Sequence, residues 1–157
     1  MSGTVDANIL VYASNQGDPV HAQARQLVQV LAAGPDLLYL FWPVVLGYLR
    51  IATHSAILPK PLSPRDAASN VEALLKRGHV RALGEVEGFW DLFRTTSRDQ
   101  ARGNDVSDAH LVTLMRQHGV RRIYSRDAGL RRFADIEVVD PFTSAPGGGR
   151  RGRTSTR

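Results

Sequence analysis

The stretch from Asn104 to Val139, NDVSDAHLVTLMRQHGVRRIYSRDAGLRRFADIEVV, decides the fold class. Ala109, Val112 and Met115 share one side at helical spacing, which predicts a helix over Asn104–His118 with Gly119 as its stop. Arg122–Ser125 reads as a strand, Ala128–Phe133 as a short helix and Glu137–Val139 as a last strand. Strands alternating with helices imply a parallel sheet covered by helices.

The same alternation extends toward the N-terminus. Gly3–Val5 reads as a short strand ending at Asp6, and Asn8–Ala13 as a brief helix. His21, Ala24, Leu27, Val28 and Leu31 recur at helical spacing until Gly34-Pro35 stops the pattern. Leu37–Phe41 is a compact apolar run suited to a buried strand. Pro43 suits the first turn of a helix with Val45, Tyr48, Leu49 and Ala52 on one face. After a loop marked by Pro59, Pro61 and Pro64 come an amphipathic segment, Arg65–Leu75, and a short strand, His79–Leu83. Glu87–Thr96 reads as an apolar helix whose Phe89, Trp90 and Phe93 are expected to build core or a dimer surface.

At 157 residues the chain is long enough for one domain with a real core. It has no cysteine, which excludes a disulfide framework, a thiolate metal site and cysteine catalysis. No apolar run is long enough to span a bilayer, and the opening MSGTVDANIL shows no basic region of a signal peptide. A cytoplasmic protein without membrane contact is expected. The net charge of +5 is uneven, because Arg150, Arg151, Arg153 and Arg157 crowd the last stretch. Without them 16 basic residues stand against 15 acidic ones, so the folded part is almost neutral. Residues 1–142 are expected to fold, and 143–157 to form a basic, disordered tail.

Three acids fall where α/β proteins place chemistry. Asp6 follows the first strand, Asp127 follows a late strand, and Asp108 is expected in the first turn of a helix. Ligands of open parallel sheets bind outside the carboxyl ends of the strands, where these three can converge. Two bare carboxylates about 4 Å apart repel by about 4 kcal/mol at an effective dielectric near 20. Such a cluster calls for a cation, and hard oxygen ligands favour Mg²⁺, with Mn²⁺ as the alternative. A cation so held can activate water and stabilise in-line attack on a phosphodiester. Each acid alone also suits a structural role, as a helix or turn cap.

The segments TVDANILVYA, YLRIATH, PLSPRDA, GNDVSDAHL and YSRDAGLRRF, in this order and spacing, resemble PIN-domain ribonucleases, specifically the VapC-type toxins of toxin–antitoxin pairs. The resemblance runs from about Thr4 to Phe142. It implies a PIN-like three-layer α/β fold, with a central parallel sheet flanked by helices, and a homodimer. It also implies Mg²⁺-dependent cleavage of structured RNA (tRNA or rRNA) by an endoribonuclease toxin that a cognate VapB-like antitoxin neutralises. Residue by residue, the family's catalytic, metal-holding acids match Asp6, Asp108 and Asp127. Ser125 stands where a small hydroxyl residue is usual, and Asn8 and Asn104 match frequent polar helpers.

Two positions depart from that pattern. The usual E-x-x-R of the third helix is Gly47-Tyr48-Leu49-Arg50, so the second acid is missing. Arg50 and His54 share the helical face of Gly47 and are candidates for RNA phosphate, although Arg50 could equally pair with an acid of the cluster. Asp105, where an apolar residue is usual, precedes Asp108 by three and could replace the lost acid or be an exposed helix-start charge. The missing acid also opens an alternative: a catalytically weakened PIN-fold module that binds RNA or antitoxin. An aspartyl-phosphate protein, suggested by the D-x-N at Asp6, would want a lysine after a strand, and neither Lys60 nor Lys76 follows one.

Overall fold

The computed structural model describes residues 1–143, so the stretch expected to be a basic tail lies, from residue 144 on, outside the described residues. Five short strands form one parallel sheet: β1 Gly3–Val5, β2 Leu38–Phe41, β3 Val80–Leu83, β4 Arg122–Tyr124 and β5 Glu137–Val139. Their order across the sheet is β3-β2-β1-β4-β5. Register is set by pairs such as Thr4 with Tyr39 on one side and Thr4 with Ile123 on the other. The chain thus builds outward from β1 in one direction and then returns to its other side, which makes the gap between β1 and β4 the topological switch point.

The helices fall into two groups, as right-handed crossovers in opposite directions require. The first holds α1 Ala7–Ser14, α2 His21–Ala33, α3 Trp42–Ala52 and α4 Pro64–Leu75, with α1 against α2 and α3, and α3 against α4. The second pairs α5 Phe89–Ser97 with α6 Asn104–Gln117. This is the expected three-layer arrangement. Local chemistry sets the boundaries: Asp6 caps α1, and Ser63 caps α4 by accepting from the Asp66 amide at 3.0 Å. Pro43 and Pro64 occupy first turns, where a missing N–H costs nothing.

The core is apolar on both sides of the sheet, with Val5, Ile9, Phe41, Val112 and Ile123 fully buried. Tyr48 places its hydroxyl between Ser14, at 2.7 Å, and Asn70, at 3.0 Å, which locks α3 to α1 and α4. The aromatic residues of α5 meet the expectation of core packing only in part. Trp90 is 64% exposed, and the one buried residue of α5 is Thr96. Phe89 is partly buried and packs against the core, while Phe93 stacks on both Phe89 and the exposed Trp90.

Candidate active site

The carboxyl ends of β1 and β4 carry the first two acids. Asp6 follows Val5, and its own amide donates to the Tyr124 carbonyl at 3.0 Å, which ties it to β4. One carboxylate oxygen, Oδ1, accepts from the Asn8 amide at 3.3 Å. The other, Oδ2, accepts from the Ser125 hydroxyl at 2.9 Å. Ser125 is buried, and its Oγ also accepts from the Asp127 amide at 2.9 Å. One hydroxyl therefore fixes both strand-end acids. Asp127 in turn caps the short 3₁₀ helix Ala128–Arg132, where its Oδ1 accepts from the Gly129 amide at 2.8 Å.

Asp108 comes from α6, one turn beyond its start at Asn104. Its Oδ2 accepts from Nη1 of Arg132 at 3.1 Å, and the same Nη1 donates to the Gly129 carbonyl at 2.7 Å. Gly129 is the hub of this region. A Cβ there would lie 3.0 Å from Asp127 Oδ1, 3.3 Å from Arg132 Nη1 and 3.7 Å from Asp108 Oδ2. The absence of a side chain at 129 therefore lets two acids and a guanidinium surround one point. Burial pushes the Asp108 carboxyl above its ordinary range, and the charges of Asp127 and Asp105 push the same way. The Arg132 hydrogen bond opposes that rise.

The expected convergence of Asp6, Asp108 and Asp127 is therefore looser than one metal cage. Among the described residues no three carboxylate or imidazole groups lie close enough to hold a metal together. The physical reason is visible in the hydrogen bonds: Asp6 and Asp127 also serve as caps, and Asp108 is drawn to Arg132. The donor chemistry itself, carboxylate and hydroxyl oxygen without sulfur, suits a hard divalent cation.

The supporting candidates separate. Asn8 contributes its backbone amide, while Asn104 stands exposed at the start of α6. Asp105 is already helical, and its Oδ1 lies 3.6 Å from Arg132 Nη2, so one guanidinium bridges Asp105 and Asp108. Gly47 sits on α3 beside α1, where a Cβ would meet the Ala7 Cβ at 3.4 Å, next to Asp6 in the chain. Arg50 and His54 are exposed, and His54 Nδ1 accepts from the Ala56 amide at 3.1 Å. Among the described residues neither pairs with an acid of the cluster. His110 lies against Glu85 and the Phe89 ring, away from the acids.

Arg132 is the residue that sequence reasoning missed. The pair Arg131-Arg132 five residues after Asp127 was the available signal, but only the 3₁₀ turn decides which arginine folds back. Its guanidinium also lies over the Phe133 ring, 4.6 Å from the centroid.

Comparison with known proteins adds the lineage. The PIN domain family model matches residues 4–136. Ribonuclease VapC48 of Mycobacterium tuberculosis is 47% identical over 144 residues, covering 91% of this chain and 99% of that protein. Among solved structures, M. tuberculosis VapC20, described as a Sarcin-Ricin loop cleaving toxin, superposes with a TM-score of 0.61 at 19% identity. It covers 84% of this chain and 94% of its own. A toxin-antitoxin complex from Klebsiella pneumoniae gives a TM-score of 0.57 at 11% identity, over 89% of this chain and 98% of that one. The two structures share the fold, and the 47% relative shares the sequence along nearly all of its length: the chain belongs to the PIN-domain family of VapC-type ribonucleases.

Proposed function

We propose that this chain is a metal-dependent endoribonuclease toxin that hydrolyses phosphodiester bonds of structured RNA. The observation that carries the reading is the Ser125 hydroxyl, which holds Asp6 and Asp127 at the switch point of the sheet with Asp108 facing Asp127 across Gly129. Asp6, Asp108 and Asp127 are the residues that would hold Mg²⁺ or Mn²⁺. Bound there, the cation would supply charge stabilisation for the phosphorane-like transition state and a nucleophilic water at neutral pH. Asp6, whose carboxylate accepts from the Ser125 hydroxyl, and Asp127, whose carboxylate accepts from the Gly129 amide, would orient that water. Arg132 meets developing negative charge on the phosphate, because its two nitrogens already bridge anionic oxygens. Arg50 extends the cationic path for the RNA strand, with the exposed His54 ring just past the same end of α3.

The cleaved RNA is read as a structured loop of ribosomal or transfer RNA, in line with the loop named for the VapC20 neighbour. A VapB-like antitoxin is the proposed protein partner, in line with the toxin-antitoxin complex among the neighbours. Trp42 and Leu46, one turn apart and exposed on α3, offer apolar surface that a second copy would cover. No described helix is long and apolar enough to cross a membrane, and the proposed site of action is the cytoplasm.

The test is cleavage of a folded ribosomal loop RNA by the purified protein with Mg²⁺ or Mn²⁺, with EDTA and Asp108→Asn as controls. Cleavage lost in both controls supports the reading. RNA binding without cleavage at any metal concentration would instead favour the weakened binding module, a reading that Gly47 and the Asp108–Arg132 contact keep open.

A further inference from the structure

A cavity of about 330 Å³ lies between the end of α5 and the face of α6, and it shares two residues, Asp105 and Arg132, with the acid cluster. Ser97, Arg98 and Gln100 form its far wall, and Phe133 lies behind Arg132. The wall is held in place by its own contacts. Arg98 and Asp99 both adopt left-handed backbone, with φ of 52° and 51°. Such a conformation is costly for side-chain-bearing residues and persists only when neighbours enforce it. Here Arg94 grips Asp99 with both Nε, at 3.1 Å, and Nη2, at 2.8 Å. Below it, Arg116 donates to Thr96 Oγ1 at 2.9 Å while held by Asp135 at 2.9 and 2.7 Å.

We propose that this cavity is a nucleotide subsite that takes one unstacked nucleotide of the RNA strand next to the bond being cut. The inference rests on the nuclease reading for what lies beside it. Arg132 is shared there between Asp105 at 3.6 Å and Asp108 at 3.1 Å, so Arg98, which pairs with no acid among the described residues, is the cation that the lining offers to an anion. Arg98 is placed to meet the phosphate. The Arg132 guanidinium, backed by the Phe133 ring, offers a flat face on which a base can stack. Ser97 and Gln100 supply donors and acceptors for a base edge. The volume, near the small end of ligand pockets at about 300 Å³, admits one nucleotide and excludes a duplex. Single-stranded loops, whose bases can be splayed out, are the RNA that fits such a pocket.

The test uses a labelled single-stranded oligoribonucleotide and its duplex form, with binding read by fluorescence anisotropy in EDTA across a salt series. Wild type is compared with Arg98→Ala, Gln100→Ala and the cavity-filling Ser97→Trp. Arg98→Ala should weaken single-strand binding at least about fivefold and lower the salt slope by about 0.7, the value for one phosphate on a single strand. Gln100→Ala should alter the base preferred beside the cut when cleavage products are sequenced. Unchanged affinity, salt slope and base preference in all three variants, with cleavage intact, would overturn the subsite and leave the nuclease reading standing. Weakened binding by Arg98→Ala in a wild-type background that cleaves nothing would uphold the subsite and remove the nuclease reading.

Discussion

Arg132→Met is the substitution that most directly examines the acid cluster. Methionine keeps an unbranched stem over Phe133 and removes the charge that bridges Asp108 and Asp105 at 3.1 and 3.6 Å. At an effective dielectric near 20, a unit-charge pair at 3.1 Å attracts by about 5 kcal/mol. The Arg132 side chain is 38% exposed, however, and solvent screening brings such a pair down to about 1 kcal/mol. In the wild type a divalent cation arriving at Asp108 competes with that guanidinium. Removing the competitor should tighten Mn²⁺ binding about fivefold, the equivalent of about 1 kcal/mol. Without metal the same change leaves Asp108 beside Asp105 and Asp127 with no counter-charge, so the melting temperature in EDTA should fall by about 2–4 °C. Isothermal titration calorimetry with Mn²⁺ reads the first effect and a thermal melt in EDTA the second. Cleavage is the wrong readout, because Arg132 also faces substrate. Equal or weaker Mn²⁺ affinity in the variant would refute the competition and place the cation away from Asp108.

Ser125→Ala should destabilise the fold by about 1–3 kcal/mol in urea titrations, because it takes the acceptor from the Asp127 amide and the hydroxyl donor from Asp6 Oδ2; an unchanged midpoint would show that water replaces the hydroxyl. Gly47→Glu should raise the melting temperature, since its Cβ meets Ala7 at an ordinary contact and a mid-helix glycine costs up to about 1 kcal/mol. It should also raise metal-dependent cleavage, and a fall in either quantity would show that the glycine is required.

The strand-end acids were legible because Asp6 and Asp127 each follow an apolar run at a place where parallel sheets expose their carboxyl ends. Ser125 was legible only through the family resemblance, and its double hydrogen bond was not legible at all. Asp105 was left between two roles by the sequence, and the start of α6 at Asn104 is what brings it to the same guanidinium as Asp108. Arg132 stayed hidden because adjacent arginines are equivalent in a linear reading, and only a 3₁₀ turn separates the one that folds back from the one that does not. The α5 aromatics were legible only in part. Apolar residues at helical spacing predict a buried face, and Phe89 does pack on the core, but Trp90 is exposed and stacks on Phe93 instead. The cavity at the end of α5 adjoins two left-handed residues, Arg98 and Asp99, of which Asp99 is held by Arg94, a tertiary arrangement with no sequence period.

Gly47 gains a meaning from the structure that the sequence could not supply. A glycine inside a helix is usually explained by close approach or by backbone geometry. Neither applies here: α3 is regular through this position, and the nearest atom to an added Cβ would be the Ala7 Cβ at 3.4 Å. Packing therefore tolerates a side chain, and what the glycine changes is charge. A glutamate there would add a fifth carboxylate to a region that already holds Asp6, Asp105, Asp108 and Asp127. Among the described residues the one cation touching those acids is Arg132, which already serves two of them. Asp105 places its carboxylate on the α6 side of the cluster, next to the cavity, rather than on the α1–α3 side. The charge that would draw a cation is thereby shifted toward Asp108 and Arg132, which is the contact that the Arg132→Met titration measures.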